Sequence, residues 1–263
     1  MSNQTPDIVI RPFDSKDSKE VHMLVGMSAM EQLAIANRKS YSHPLLISLW
    51  ILFASVIIQV LRLWPSDSEQ GWIGYLSPLP TIAGTAVPVL FAMDWLHRPH
   101  FEEMLRLRIK AFAKAAAKAA LVSKPKSGSA KPLLLVMEYK QTPIGCAALL
   151  PCDVKDTRPC YRLAHFHVDS PYRRTGVGHD FLSHIVQNLA KSNADIVAVT
   201  NQLTPYVAEC LRGVGFSPDQ QAIHVWDTER EKNDLDGQGG KDIEKEKVFL
   251  VDTQRTGWRL SHA

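Results

Sequence analysis

Cysteine is scarce in this chain, and what there is lacks pattern. The 263 residues hold four cysteines, Cys146, Cys152, Cys160 and Cys210, with no Cys-x-x-Cys spacing. That excludes a paired-cysteine zinc framework, and no metal site is expected. No signal peptide is evident, so reduced thiols in a cytosolic domain are expected, with two separate thiols at Cys152 and Cys160 favoured over a pair. Charge of one sign is lacking too. The 30 Lys+Arg against 27 Asp+Glu leave a net +3, too little and too scattered for a nucleic-acid partner. No segment repeats. No Gly-Lys-Ser/Thr follows a glycine turn, which excludes a Walker-type phosphate loop.

One glycine turn stands out. Tyr161 to Val168 reads as a β-strand and Val177 to Ala190 as an amphipathic helix. Between them lies Asp169-Ser170-Pro171-Tyr172-Arg173-Arg174-Thr175-Gly176. Ser170-Pro171 breaks the strand. The turn then presents free backbone N–H groups at the positive end of a helix, an arrangement suited to a pyrophosphate. Gly176 and Gly178 permit close approach. A dinucleotide fingerprint would need a third glycine three residues on, and position 181 is Phe.

Two long apolar runs, Pro44 to Trp64 and Trp72 to Leu96, each reach the roughly 20 residues needed to cross a bilayer as a helix. The first has no polar face. The second carries Pro78, Pro80 and Pro88 and is the weaker span. The Pro65–Gly71 connector has no Lys or Arg, whereas Arg38 and Lys39 flank one side and Arg98, Arg106, Arg108 and Lys110 the other. The positive-inside rule then puts both termini in the cytosol. Trp64, Trp72 and Trp95 suit interfacial anchoring. Helices are expected over Lys19 to Asn37 and Phe101 to Val122, the latter with a basic stripe of Arg106, Lys110, Lys114 and Lys118. Ser123 to Lys131 reads as a linker and Thr228 to Lys247 as a disordered loop between late strands, Ala222 to Asp227 and Val248 to Thr253.

The segment Arg162 to Gly178, with its hydrophobic strand, Val168, Pro171 and Arg-Arg-x-Gly-x-Gly, resembles the acetyl-CoA-binding motif of the GNAT superfamily of N-acetyltransferases. Further matches follow in family order: Ile8 to Pro12 as first strand, Leu133 to Tyr139 and Pro143 to Leu150 as a hairpin, Ala194 to Thr200 as fifth strand, and Thr204 to Gly215-Phe216 as the next helix and its exit. The inserted hairpin is similar to that of the camello-like branch. The resemblance implies an α/β fold, a GNAT-like mixed sheet flanked by helices, with a two-helix membrane hairpin between the first two helices. The expected organisation is 1–43 and 97–263 for the transferase domain and 44–96 for the hairpin. It also implies an integral membrane protein of the endoplasmic reticulum with a cytosolic catalytic domain. Its reaction would be acetyl transfer from acetyl-CoA to an amine of a small molecule or protein.

By the same resemblance, Phe166, His167, Val168, Arg173, Arg174, Thr175, Gly176, Val177 and Gly178 would bind acetyl-CoA. Val168 would meet the pantetheine arm with its backbone. The acid tyrosine of many members falls, counted back from Gly215, on Leu211. Tyr206, five residues earlier and roughly 140° around the helix, is the candidate catalytic hydroxyl. His165 and His167 alternate onto one strand face, with Arg162, Ala164 and Phe166 on the other, and are expected to pack rather than react. Leu211 also keeps open an alternative, a non-catalytic CoA-binding or protein-interaction module.

Overall fold

In a computed structural model the structure describes residues 8–64, 76–121, 131–152, 159–234 and 254–260. The described residues divide into two compact units. One comprises 8–30, 104–234 and 254–260, and the other 31–64 and 76–103.

The first unit is built on a seven-stranded sheet in the order β1-β2-β3-β4-β5-β7-β6. The strands are β1 Ile8–Pro12, β2 Leu133–Tyr139, β3 Thr142–Cys152, β4 Cys160–Val168, β5 Asp195–Asn201, β6 Ser217–Pro218 and β7 Arg255–Leu260. Only β4 and β5 run parallel. They pair at Cys160, Tyr161 and Arg162 with Asp195, Ile196 and Val197, and then part. The helices of this unit include α4 (Val177–Ala190), α5 (Pro205–Val214) and α6 (Gln221–Asp234), together with segments of α1 (Ser18–Tyr41) and α3 (Leu79–Leu121).

Apolar alternation explains the two sheet faces. Ile144, Leu149, Leu163, Phe166 and Val168 face α4 and α5, packing on Phe181, Leu182, Ile185 and Leu211. On the other face Leu134, Val136, Cys146 and Ala148 meet Val21, Leu24 and Val25 of α1 and Phe112 and Ala115 of α3. The four cysteines are free and buried, and Cys152 and Cys160 are cross-strand register partners.

The second unit holds the end of α1, all of α2 (Pro44–Val60) and the first part of α3. His43 caps α2, and Pro44 fits its first turn. The 17 residues of α2 rise about 25 Å, short of the roughly 30 Å of a hydrocarbon core. The chain turns at Leu61 and Arg62, where Arg62 has φ 50°. The proline-interrupted run fares differently from expectation. It continues through Pro88 and Pro99 into the following helix as one 43-residue α3, and residues 79–117 are long and apolar enough to cross a membrane. An α1–α2 pair bent by 62° passes the same test jointly. A polar cluster links α1 and α3 inside this unit: Asn37 donates to Asp94 at 2.9 Å and lies 2.6 Å from His97 Nδ1.

The C-terminal third departs from expectation. Ala222 to Asp227 is helical, not a strand. Asp219 Oδ1 accepts from Gln221 N at 2.8 Å and caps α6, and Ala222 is fully buried. α6 continues through Asp234, where a loop was expected from Thr228. Arg255–Leu260 fills the sheet position between β5 and β6. The connector 65–71, most of the linker 123–131 and the expected strand 248–253 lie outside the described residues.

Local charge closes the sheet edge. Arg11 on β1 donates to both Asp17 oxygens (2.6 and 2.8 Å) and to Glu138 on β2 (2.7 Å). Asp17 also accepts from the Asp14 N–H, and its side chain is 7% exposed. The Arg11 bonds hold the Asp17 carboxyl below the usual carboxylate range, against the opposing effect of burial. A depressed folded pKa stabilises the fold above the unfolded value and loses that stabilisation as pH falls through the folded one. Asp17→Asn is therefore expected to lower stability by about 1–3 kcal/mol at pH 7. The gap to wild type should close in acid, as read by thermal unfolding from pH 7 to pH 2.

Candidate active site

β4 makes the site's first wall. Asp169 donates its N–H to Ile144 of β3 at 2.8 Å, so the N–H and C=O of Val168 turn the other way, into the gap where β5 has parted. The register of β3 slips between Ala148 and Leu149, which face His165 and Leu163, so Ala164 is an inserted bulge residue. The bulge shifts the alternation by one. His165 and His167 consequently share their face with Arg162, not with the opposite one as strict alternation requires. Leu163, Phe166 and Val168 share the α4 face. Arg162 stacks on Trp226 of α6, 5.6 Å from the ring centre.

The loop follows. Asp169 caps the short helical turn Ser170–Tyr172, and Thr175 Oγ1 donates to Tyr172 O at 2.8 Å. Arg174 (φ 64°) and Gly176 (φ 88°) are both left-handed, a geometry that gathers successive N–H groups into a concave nest. Gly176 precedes the first turn of α4, and its carbonyl accepts from Asp180. Among the described residues, the N–H groups of residues 174–179 have no backbone acceptor. Arg174, Thr175 and Gly176 are exposed, while Val177 and Gly178 are buried.

Arg173 behaves differently from its neighbour. Its Nε donates back to Val168 O at 2.7 Å, and its guanidinium lies 4.7 Å from the ring centre of Tyr206 on α5. Nη2 is 3.4 Å from His167 Nδ1. Gly178 has a role that its spacing did not reveal. A Cβ there would land on the Tyr206 hydroxyl, 2.8 Å from Cζ and 3.1 Å from Cys210 Sγ. The absent side chain therefore lets α4 seat against Tyr206 and Cys210.

The structure brings Tyr206 to the loop, although Leu211 is buried in the core at 0% exposure. The Tyr206 hydroxyl is buried against Gly178 and the Cys210 thiol. Burial first, and then Cys210, raise its pKa. Burial, with Arg108 and His167, drives His165 down to about 3, so it stays neutral near pH 7 and is a poor proton acceptor. Sequence reasoning missed Cys210 as a packing partner of the loop and Trp226 as the cover of Arg162. Both lie on helices whose facing is settled by tertiary packing.

Two substitutions separate the glycines. Gly178→Ala must displace Tyr206 and is expected to cost about 1–3 kcal/mol. Gly176→Ala meets open space and costs about 1–2 kcal/mol through its left-handed backbone alone. In a Tyr206→Ala background the Gly178→Ala cost should shrink while the Gly176→Ala cost persists. Thermal unfolding of the three single variants and the two double variants checks this.

A comparison with curated proteins found no match. Among solved structures the chain is similar to a GNAT family acetyltransferase from Staphylococcus aureus (10% identity, 96% of this chain and 98% of that one, TM-score 0.41). It is also similar to one from Elizabethkingia anophelis with acetyl-CoA bound (13% identity, 50% and 76%, TM-score 0.34). It spans 66% of an Arabidopsis thaliana protein solved with a bisubstrate analogue (17% identity, 41% of this chain, TM-score 0.33). The model of the "Acetyltransferase (GNAT) family" matches residues 92–216, which hold β2 to β5, the loop and α5. Over those residues, just under half of the chain, the sequence is similar to the GNAT acetyltransferase family.

Proposed function

We propose that the protein is a membrane-anchored N-acetyltransferase that moves an acetyl group from acetyl-CoA to an amine. The observation that carries this reading is the conjunction at the end of β4. A nest of N–H groups at the positive end of α4 lies beside a strand edge turned into an unpaired gap. Both elements fall within the residues that match the family. The site suits an elongated ligand with a pyrophosphate at one end and amides along its length.

The residues would divide the task as follows. The N–H groups of Arg174, Thr175, Gly176, Val177 and Gly178 take the pyrophosphate, with the exposed Arg174 side chain adding charge. Phe166, His167 and Val168 line the strand edge for the pantetheine arm. Bound acetyl-CoA supplies the thioester carbonyl that the amine attacks. The Tyr206 hydroxyl lies against Gly178, at the pyrophosphate end of the site, and its raised pKa makes it a weak acid, so water or a backbone N–H would serve the leaving thiolate. A thiol of pKa about 8.5 needs little help in leaving.

Anchoring is supported by unit two taken by itself. Leu45, Leu49, Leu52, Phe53, Val56 and Val60 on α2 are exposed. Val87, Phe91 and Trp95 extend the apolar surface along α3, well beyond the scattered apolar residues of a soluble surface. The charge flanks favour cytosolic termini, and the endoplasmic reticulum suits such a hairpin. A second reading, a CoA-binding module without turnover, is favoured by one observation, the burial of Leu211 where many members have the acid.

Calorimetry on detergent-purified full chain is expected to show acetyl-CoA binding, and an amine screen to show thiol release. Tight binding with no turnover on any amine supports the module instead, and no binding sinks both. A glycosylation acceptor placed in a lengthened 65–71 connector is expected to be modified, and one at either terminus not. A modified C-terminus would contradict the topology.

A further inference from the structure

Arg173 and Tyr206 make a contact chain that the acetyl-CoA reading does not require. The chain starts at the end of β4. Val168 O accepts from Arg173 Nε at 2.7 Å. The same guanidinium lies over the Tyr206 ring at 4.7 Å, within the distance at which an aromatic face attracts a cation. Tyr206 in turn fills the space against Gly178 that any side chain at 178 would need. Strand end, loop and first turn of α4 are thus tied through one side chain of the loop and one of α5.

We infer that Arg173 and Tyr206 form a clamp that fixes the phosphate-binding loop in its nest geometry. Arg173 is then a positioning residue whose guanidinium holds the loop to β4, and the anion is met by the N–H groups beyond it and by Arg174. The ring of Tyr206, and not its hydroxyl, does this part of the work. The inference rests on the acetyl-CoA reading and deepens it, because it gives Tyr206 a part in CoA affinity that its ring carries.

The chemistry of the clamp dictates which variants it tolerates. Phenylalanine keeps the π face and the packing under Gly178, so Tyr206→Phe preserves the clamp. Leucine keeps apolar character and loses the face. Lysine at 173 keeps a positive charge but lacks the planar fork that stacks and donates at the same time. A residue that served only as a general stabiliser of α5 would not couple to Arg173.

The test is CoA affinity by calorimetry on the full chain, for Tyr206→Phe, Tyr206→Leu, Arg173→Gln and the double variant Arg173→Gln/Tyr206→Leu. Expected are a Kd for Tyr206→Phe within about twofold of wild type, and about tenfold weakening for Tyr206→Leu and for Arg173→Gln. The double variant should also weaken about tenfold rather than a hundredfold, since either change alone opens the clamp. A hundredfold, additive loss in the double variant overturns the clamp, as does wild-type affinity in Tyr206→Leu. Should Tyr206→Leu not fold, Arg173→Lys decides: about tenfold weakening at unchanged charge supports the clamp, and unchanged affinity removes it. Wild-type protein that fails to bind CoA sinks the acetyl-CoA reading and the clamp together. Binding that every variant retains sinks the clamp alone.

Discussion

β4 and β5 are hydrogen-bonded over three register pairs and then separate. The candidate site depends on that separation. A parallel pair bonded along its length would satisfy the edge of β4 and leave no gap. Once the strands part, the main-chain groups of Val168 turn toward space, and the loop that follows can curl back so that Arg173 reaches the Val168 carbonyl. α4 then starts from a left-handed Gly176 with its positive end at the mouth of the gap. The two sheet faces are packed independently, one by α4 and α5 and the other by α1 and α3. The sheet therefore keeps its shape without a continuous β4–β5 ladder.

Local signals in the sequence carried most of the first unit. Val177 to Ala190, read from its amphipathic period and the glycines before it, is α4 to the residue. β1 and β2 match their expected bounds. Thr204-Pro205 and Gly215 mark the ends of α5 because a proline suits the first turn and a glycine the left-handed residue after the last. These features rest on periodicity and backbone chemistry, which a sequence displays directly.

What failed was decided at longer range. The bulge at Ala164 has no local mark, yet it moves His165 and His167 onto the face of Arg162. Ala222 to Asp227 holds the Ile, Val and Trp typical of a strand but is held as a helix by the Asp219 cap and by packing of Ala222. The apolar run ending at Leu96 and the amphipathic helix after it read as two elements because of their prolines and the change in polarity, whereas helical hydrogen bonding continues through both. The loop at 173–178 was legible as an anion site. The contact of Gly178 with Tyr206 was not, since it joins helices 28 residues apart in sequence.

Leu211 bears on the history that is open to this chain. The side chain has no exposure and sits among Phe181, Leu182 and Phe216 in the main core. A tyrosine there would have to displace its neighbours and bury a hydroxyl in apolar surroundings. The packing around position 211 has to be remodelled first. Positions lining the β4–β5 gap, by contrast, can take new polar groups without opening the core.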